Sequence, residues 1–588
     1  MIDPTSLPIA GILSQLQDVL ARHLIVLLSA EPGAGKTTQV PLALRKEPWL
    51  GHKKIIMLEP RRLAARAAAR RMSWLLDEPV GLTVGYRTRL DTKVSSTTRV
   101  EVVTEGILTR MLQYDPSLNE YGLVIFDEFH ERSLQADLGL ALTLKTQSLF
   151  RKDLRVLVMS ATLDTRTLAQ QLQPVPVVTC EGKMFPVETR YLGPLEQRNF
   201  STQLTKAIHR LLLTEPGNLL VFLPGAGKIR RLEQCLSSLP LPPQTMIVPL
   251  YGDLSSQAQD QAILPPPPGW RKIVLSTNIA ESSLTIEGIR IVLDTGLMRI
   301  PRFDPRSGMS RLTTINISQA SAEQRRGRAG RTEPGLCVRC WDEAAQRTLA
   351  TRTPPEILQA DLTSLALELG VWGVKDASDL SWPDPPPTGA LAQARQLLRF
   401  LGALDKEGRV TEHGRKMSHL PIHPRLAHMV LQGTTMKLGA LACDVAAVFS
   451  EQDFLKGTTA QSQTDLRSRM EEYNRQAGRN TGSGVIQRIR QISQTWQQHL
   501  GLVAQPGPYT PFNQDAIGML LALAYPDRIA QRQSDGSRRY KMANGRLARF
   551  HQPDPLEHEE YLVIRRSGRN PTRFPHLSGR AYSSGRSL

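Results

Sequence analysis

The sequence predicts an α/β chain made of two successive parallel-sheet units, followed by helical domains. Three observations carry this expectation. Short apolar runs alternate with longer helical patterns over the first 185 residues. The same rhythm resumes between residues 218 and 345. From about residue 350 the strand-like runs stop and helical patterns take over.

In the first unit the runs are HLIVLLS (23–29), KKIIML (53–58), RVEVV (99–103), GLVIF (122–126) and RVLVM (155–159). Unbroken apolar runs of this length suit strands buried on both faces, as in a parallel sheet covered by helices. The second unit offers NLLVFLP (218–224), TMIVPLY (245–251), KIVLS (272–276) and IRIVLD (289–294), and joins the first near KMFPVETR (183–190). Further on, LAQARQLLRFLGALDKEGRVTEHGRKM reads as helix, turn and short wing, which suits a small winged-helix domain. KLGALACDVAAVFS (437–450) reads as an apolar helix of a further helical region. The expected domains are therefore 1–185, 186–347, a winged-helix-like 348–420 and a helical 421–564. Residues 565–588 hold six Arg, five Ser and no acid, with too few large apolar residues to fold.

A chain of 588 residues that is 40% apolar has ample material for several cores. Its net charge of +18 points to a polyanionic partner, nucleic acid first among them. Five scattered cysteines form no disulfide framework, and the lone Cys337-x-x-Cys340 pair reads as structural rather than as a zinc site. No signal peptide opens the chain and no apolar run reaches about 18 residues, so a cytoplasmic location without membrane association is expected.

SAEPGAGKTTQVP follows the first strand and fits a phosphate loop, with Ala30 where the pattern usually has its first glycine. Such a loop needs backbone N–H groups converging on an anion at a helix N-terminus, and Gly33 and Gly35 permit that turn. Around Ala34, Lys36 would neutralise nucleotide phosphates; Thr37, followed by Thr38, would bring a hydroxyl to Mg²⁺. In GLVIFDEFHERSLQAD, Asp127 and Glu128 end a strand on the same carboxyl edge as that loop. Asp127 would hold the metal and Glu128 would polarise the attacking water. In SAEQRRGRAGRTEPG, the three-residue spacing predicts that Arg328 and Arg331 share a helix face and reach one γ-phosphate together. A solvated basic helix is the plainer reading, but Gly327 and Gly330 suit close backbone packing better than a helix.

AEPGAGKTTQVP, EPRRLAAR (59–66), TEGILTR (104–110), DEFH, SAT (160–162), FLPG (222–225), STNIAESSLTI (276–286) and QRRGRAGR (324–331) stand in the order of superfamily 2 helicase motifs. The chain resembles the DEAH-box group of RNA helicases, and within it the bacterial HrpB type, over about residues 5 to 564. The resemblance implies two tandem RecA-like domains closing on ATP and Mg²⁺. It implies that Gly33, Ala34, Gly35, Lys36, Thr37 and Thr38 cradle the phosphates, with Thr37 and Asp127 at the metal. It implies that Gln324, Arg328 and Arg331 reach the γ-phosphate, that His130 bridges to Gln324, and that Glu287 binds the ribose. Ser160 and Thr162 would couple hydrolysis to strand movement. Arg61, Arg62, Thr104 and Thr277 would touch the nucleic-acid backbone, and the segment 289–314 resembles a strand-parting hairpin.

The implied substrate is RNA, single-stranded or with an overhang beside a duplex, with DNA left open and 3′ to 5′ movement suggested. A monomer is expected, with protein partners unspecified. Remodelling of RNA–protein complexes without processive unwinding is the rival activity, and an inactive RNA-binding remnant is another. Two departures stand out. Leu264 occupies the place where the group often stacks the adenine on an aromatic, so other NTPs are expected to be accepted. Phe129 replaces the alanine of the group's usual spelling, and a packing role is expected for it. The tail reads as a truncation or frameshift, or alternatively as a basic arm for RNA.

Overall fold

The computed structural model describes residues 7–88, 91–161, 165–172, 175–182, 185–252, 254–281, 286–304, 309–450, 465–478, 484–502, 514–533, 538–550 and 554–564. Thr162, the tip of the 289–314 segment and the Arg/Ser tail lie outside them. The chain divides into two units, one of residues 1–361 with 376–387, the other of 362–375 with 388–588.

In the first unit, each apolar run becomes a strand. The strands are β1 (Ile25–Ala30), β2 (Lys54–Glu59), β3 (Val84–Arg87), β4 (Thr92–Lys93), β5 (Val100–Thr104), β6 (Tyr121–Phe126), β7 (Arg155–Ser160) and β8 (Val177–Cys180). They form one sheet in the order β4-β3-β5-β2-β6-β7-β1-β8, and every neighbouring pair except β3–β4 is parallel. All six residues of β6 are buried, which explains why its sequence shows no alternation. Parallel pairing also sends the ends of β1, β2, β5, β6 and β7 to one edge, and that edge carries the predicted motifs.

The second sheet runs β11-β12-β10-β13-β16-β9 and is wholly parallel. Its strands are β9 (Val187–Tyr191), β10 (Asn218–Phe222), β11 (Thr245–Leu250), β12 (Arg271–Ser276), β13 (Ile289–Asp294) and β16 (Gly335–Arg339). Between β13 and β16, β14 (Leu297–Asp304) and β15 (Met309–Asn316) pair antiparallel as a hairpin of their own. The predicted strand-parting segment is thus shifted: its first strand, 289–294, belongs to the parallel sheet, and the hairpin begins at Leu297. Cys337 and Cys340 enter different cores, on opposite faces of this sheet, so their spacing serves packing.

A second correction concerns the arginines. The helix Gln319–Arg326 stops there, with Gly327 as its C-cap, so Arg328 and Arg331 lie in the turns beyond it and share no helix face. Beyond the helix the backbone packs closely. The Phe185 N–H donates to the Gly330 carbonyl at 2.9 Å, and a Cβ on Gly330 would lie 2.6 Å from the Phe185 oxygen.

The second unit contains the helices Thr363–Val371, Thr388–Phe400, Glu412–His419, Pro424–Thr435 and Gly439–Ser450, with others beyond. The wing between Thr388–Phe400 and Glu412–His419 is reduced to a single antiparallel bridge, Leu404 to Val410. Residues 421–564, expected to be helical, are not wholly so. They include β17 (Ile529–Arg532), β18 (Arg539–Met542), β19 (Leu547–Arg549) and β20 (Tyr561–Val563), in the order β19-β18-β17-β20. These strands are three or four residues long and expose charged side chains on one face, as in Arg539 and Lys541 around buried Tyr540. They lack the apolar run that marks a buried strand. Among the described residues no helix is long and apolar enough to cross a membrane.

Replacing Gly330 by Ala should force the Phe185 segment to shift. The expected cost is about 1–3 kcal/mol in urea unfolding of the full chain, as for other overpacked positions. An unchanged midpoint would show that the approach is not tight.

Candidate active site

The site begins where β1 ends. Between Ala30 and Lys36 the chain turns back on itself with Gly33 at φ +90° and Gly35 at φ +95°, a region that favours glycine. The helix Lys36–Leu44 starts directly after, so its N-terminal N–H groups face the turn. Ala34 is buried, and the Thr38 hydroxyl donates back to the Gly35 carbonyl at 3.4 Å. This is a cradle for an anion.

Across that cradle stands the end of β6. Lys36 Nζ donates to Glu128 Oε1 at 2.7 Å and lies 4.0 Å from Asp127 Oδ1. Thr37 Oγ1 donates to Asp127 Oδ2 at 2.5 Å. Glu128 is held in the left-handed region, φ 49° and ψ 34°, a conformation that costs a non-glycine residue free energy. All four side chains belong to one edge of one sheet, as their strands and loop require.

Sequence reasoning missed a third carboxylate. Glu59, the last residue of β2, is 1% exposed and its Oε2 has no hydrogen-bond partner. Burial, then Asp127 and Glu128, push its pKa well above the usual carboxylate range. Burial also raises Asp127 despite Lys36. Burial opposes ionisation of Glu128 too, but Lys36, His130 and Arg328 outweigh it and hold the group at about 2. Glu128 is therefore anionic at neutral pH, as a group that orients water must be. Glu59 and Asp127 share a region too negative for one lysine to neutralise. A hard divalent cation fits beside Thr37 and Asp127 on these grounds: an oxygen donor set with more buried carboxyl groups than basic side chains, whose protons a cation would replace. The signal in the sequence was the glutamate of EPRRLAAR, which ends a buried strand just as Asp127 does.

The second sheet faces this edge. The Gln324 amide lies 2.7 Å from His130 Nε2, which in turn lies 3.4 Å from Glu128 Oε2. His130 Nδ1 accepts from the Ala161 N–H at 3.3 Å, and its Nε2 meets the Gln324 side-chain nitrogen across the cleft. Ser160, buried at the end of β7, adjoins this contact. Arg328 is buried and donates through Nε, at 3.0 Å, and Nη2 to the Glu281 carbonyl. Burial, then Arg331, push Arg328 well below the ordinary guanidinium range, while Glu128 draws it back. Burial brings Arg331 down to about 10, with Glu128 again opposing. Both arginines are thus within electrostatic reach of Glu128. Phe129 is 2% exposed and packs edge-on to Phe126 at 6.0 Å, the packing role expected of it.

A cavity of about 360 Å³ opens beside this contact, lined among others by Arg61, His130, Ser160, Glu281 and Gln324. Arg61 spans it: Nη1 donates to the Asn278 carbonyl and Nη2 to Glu131, each at 3.0 Å. Its guanidinium thus ties the two sheets together in this state. Arg62 is exposed. Thr104 ends β5, and Thr277 follows β12 with its N–H on the Leu250 carbonyl. Glu287 is exposed beside Lys272, whose Nζ donates to the carbonyls of Ala262 and Leu264. The positions expected for ribose and adenine are therefore neighbours. Leu264 is 59% exposed; Trp270, directly before β12, is 42% exposed and is an aromatic passed over in the sequence.

Comparison with known proteins settles the kinship. The DEAD/DEAH box helicase profile matches residues 12–170, the helicase conserved C-terminal domain 203–333, and the helicase associated domain (HA2), winged-helix, 394–422. The ATP-dependent RNA helicase HrpB of Escherichia coli strain K12 is 45% identical over 559 residues, 95% of this chain and 66% of that protein. A crystal structure of the Escherichia coli DEAH/RHA helicase HrpB superposes with a TM-score of 0.83 at 45% identity, over 95% of this chain and 68% of that one. The chain belongs to the DEAH-box helicase family, HrpB type. A second structure, of the E. coli DExH-box NTPase HrpB, gives 0.81 at 43% identity over 99% of this chain and 69% of that one. The Schizosaccharomyces pombe pre-mRNA-splicing factor ATP-dependent RNA helicase prp22 is 37% identical over 443 residues, 74% of this chain and 37% of its own. The chain thus spans about two thirds of the length of its HrpB relatives. Its membership in the DEAH-box family accounts for two RecA-like sheets with the acidic strand end of one facing the arginines of the other.

Lys36→Ala should leave three buried carboxylates without their cation. Breaking a buried pair from one side costs roughly 3–5 kcal/mol. The variant should lose ATP binding in calorimetry and melt lower; unaltered affinity would remove Lys36 from the site.

Proposed function

We propose that this chain is an ATP-driven RNA helicase. The observation that carries the reading is Glu128: buried, anionic, paired with the lysine of an anion cradle, and faced by Gln324, Arg328 and Arg331 from the second sheet. Lys36 and the N–H groups of the loop bind the phosphates of ATP, displacing the lysine from Glu128. Thr37 and Asp127 would hold Mg²⁺, which would shield the phosphate charge. Glu128 then orients the attacking water and accepts its proton.

Arg328 and Arg331 stabilise charge on the transferred phosphoryl group from the opposite sheet, so hydrolysis depends on closure of the cleft. Loss of the phosphate removes that attraction and lets the sheets part. His130 and Gln324 sense the same event, since their contact crosses the cleft beside Glu128. Ser160, with Thr162, carries it along β7. Glu287 takes the ribose, and exposed Leu264 beside it gives the base little specificity.

RNA runs along the carboxyl edges of both sheets, touched by Arg62, Thr104 and Thr277. Arg61 joins them once the cleft opens and frees its guanidinium from Asn278. Contacts to phosphate and sugar make binding salt-dependent and nearly indifferent to sequence.

Glu128→Gln should lower the RNA-stimulated ATPase by roughly 10²–10⁴-fold, the range for a lost general base. ATP affinity should persist and unwinding of a duplex with a 3′ overhang should cease. Hydrolysis at the parental rate would end the assignment.

A further inference from the structure

Two of the arginines beyond β15 have different fates, and one residue connects them. Arg325 is 1% exposed and lies over the Phe222 ring at 4.7 Å. Its Nε donates to Glu281 Oε2 at 2.8 Å and its Nη1 to Asp294 Oδ1 at 2.9 Å. Arg325 is therefore spent within the second sheet's own core. Arg328 donates twice to a main-chain oxygen, the carbonyl of Glu281.

Glu281 thus meets the arginine segment at three points with two different groups. Its carboxylate accepts from Ser321 Oγ at 2.6 Å and from Arg325 Nε, both on the helix that precedes Arg328. Its carbonyl accepts from Arg328, after that helix has ended. The residue itself caps a short 3₁₀ turn, Asn278–Ala280, through its N–H on the Asn278 carbonyl. A carbonyl oxygen is a weak anchor when its peptide can rotate. Here the side chain of the same residue is held by two charge-assisted or short bonds and its N–H by the Asn278 carbonyl, so the Cα from which that peptide departs is fixed in place. The forked guanidinium, bound through two of its N–H groups, takes its plane from that oxygen.

We propose that Glu281 is the positioning residue of the phosphate-reaching arginine: its carboxylate locks the turn, and its carbonyl sets the aim of Arg328. The proposal rests on the reading of Arg328 as the group that stabilises the transferred phosphoryl. Glu281 touches no nucleotide in this account. It acts only through Arg328, and its effect appears where Arg328 acts, in the transition state. The Arg61 bond to the neighbouring Asn278 carbonyl brings the first sheet to the same turn, so closure and aim share one short segment.

A double-mutant cycle on the full chain tests this. Glu281→Ala, Glu281→Gln, Arg328→Ala and the double Ala variant are compared by RNA-stimulated kcat and KM for ATP, and by affinity for ADP with and without aluminium fluoride. Glu281→Ala should lower kcat by roughly 10- to 100-fold and weaken the ADP–aluminium fluoride complex similarly, as expected for a misaimed oxyanion donor, with ADP affinity unchanged. Added to Arg328→Ala it should cost nothing further. Glu281→Gln, which keeps an acceptor oxygen, should recover part of the rate. Equal weakening of ADP and the aluminium fluoride complex, or full additivity in the double variant, would overturn the proposal. Arg328→Ala with parental activity would instead reject the arginine reading itself, whatever Glu281 does. Should Glu281→Ala fail to fold, Ser321→Ala removes a single hold, and an unchanged cycle for it and Glu281→Gln would count against the proposal.

Discussion

The buried pair of Lys36 and Glu128 is the interaction on which the rest of this molecule turns. A lysine and a carboxylate are costly to remove from water, and they are kept here only because strand order brings β1 and β6 to the same sheet edge with β7 between them. Two more carboxylates, Asp127 and Glu59, crowd the same place, so one lysine leaves the pocket negative. That imbalance makes the site receptive to a divalent cation and, through Lys36, to phosphates. Lys36, with His130 and Arg328, keeps Glu128 ionised in a setting that would protonate an unpaired carboxyl.

The same crowding explains why the site needs two sheets. Glu128 is bordered by His130 and is within the field of Arg328 and Arg331, so its charge is balanced partly from across the cleft. Any change in charge at the loop must alter the attraction between the sheets. The contacts of His130 with Gln324 and of Arg61 with Asn278 are polar and few, as suits a joint that opens and closes.

Much of this was legible beforehand. The strands that are buried on both faces announce themselves as apolar runs, so β1, β2, β5, β6 and β7 could be read within a residue or two. The motifs at their ends followed, because a parallel sheet aligns them. What escaped was whatever depends on partial burial or on packing between distant segments. β9 exposes alternate residues and lies at the edge, and β17 to β20 are too short to stand out as strands. The turn that carries Arg328 is packed through Gly330 against Phe185, a contact between residues far apart in sequence. Glu59 and Glu281 looked ordinary because their importance lies in what surrounds them.

The central claim is that phosphate chemistry at Glu128 is tied to nucleic acid on the carboxyl edges. It is tested most directly by the ATPase rate of the full chain with RNA, with single-stranded DNA and with neither, at several salt concentrations. The account predicts strong stimulation by RNA that weakens steeply as salt rises, because the contacts are to phosphate. A rate that is the same with and without nucleic acid at low salt would contradict it.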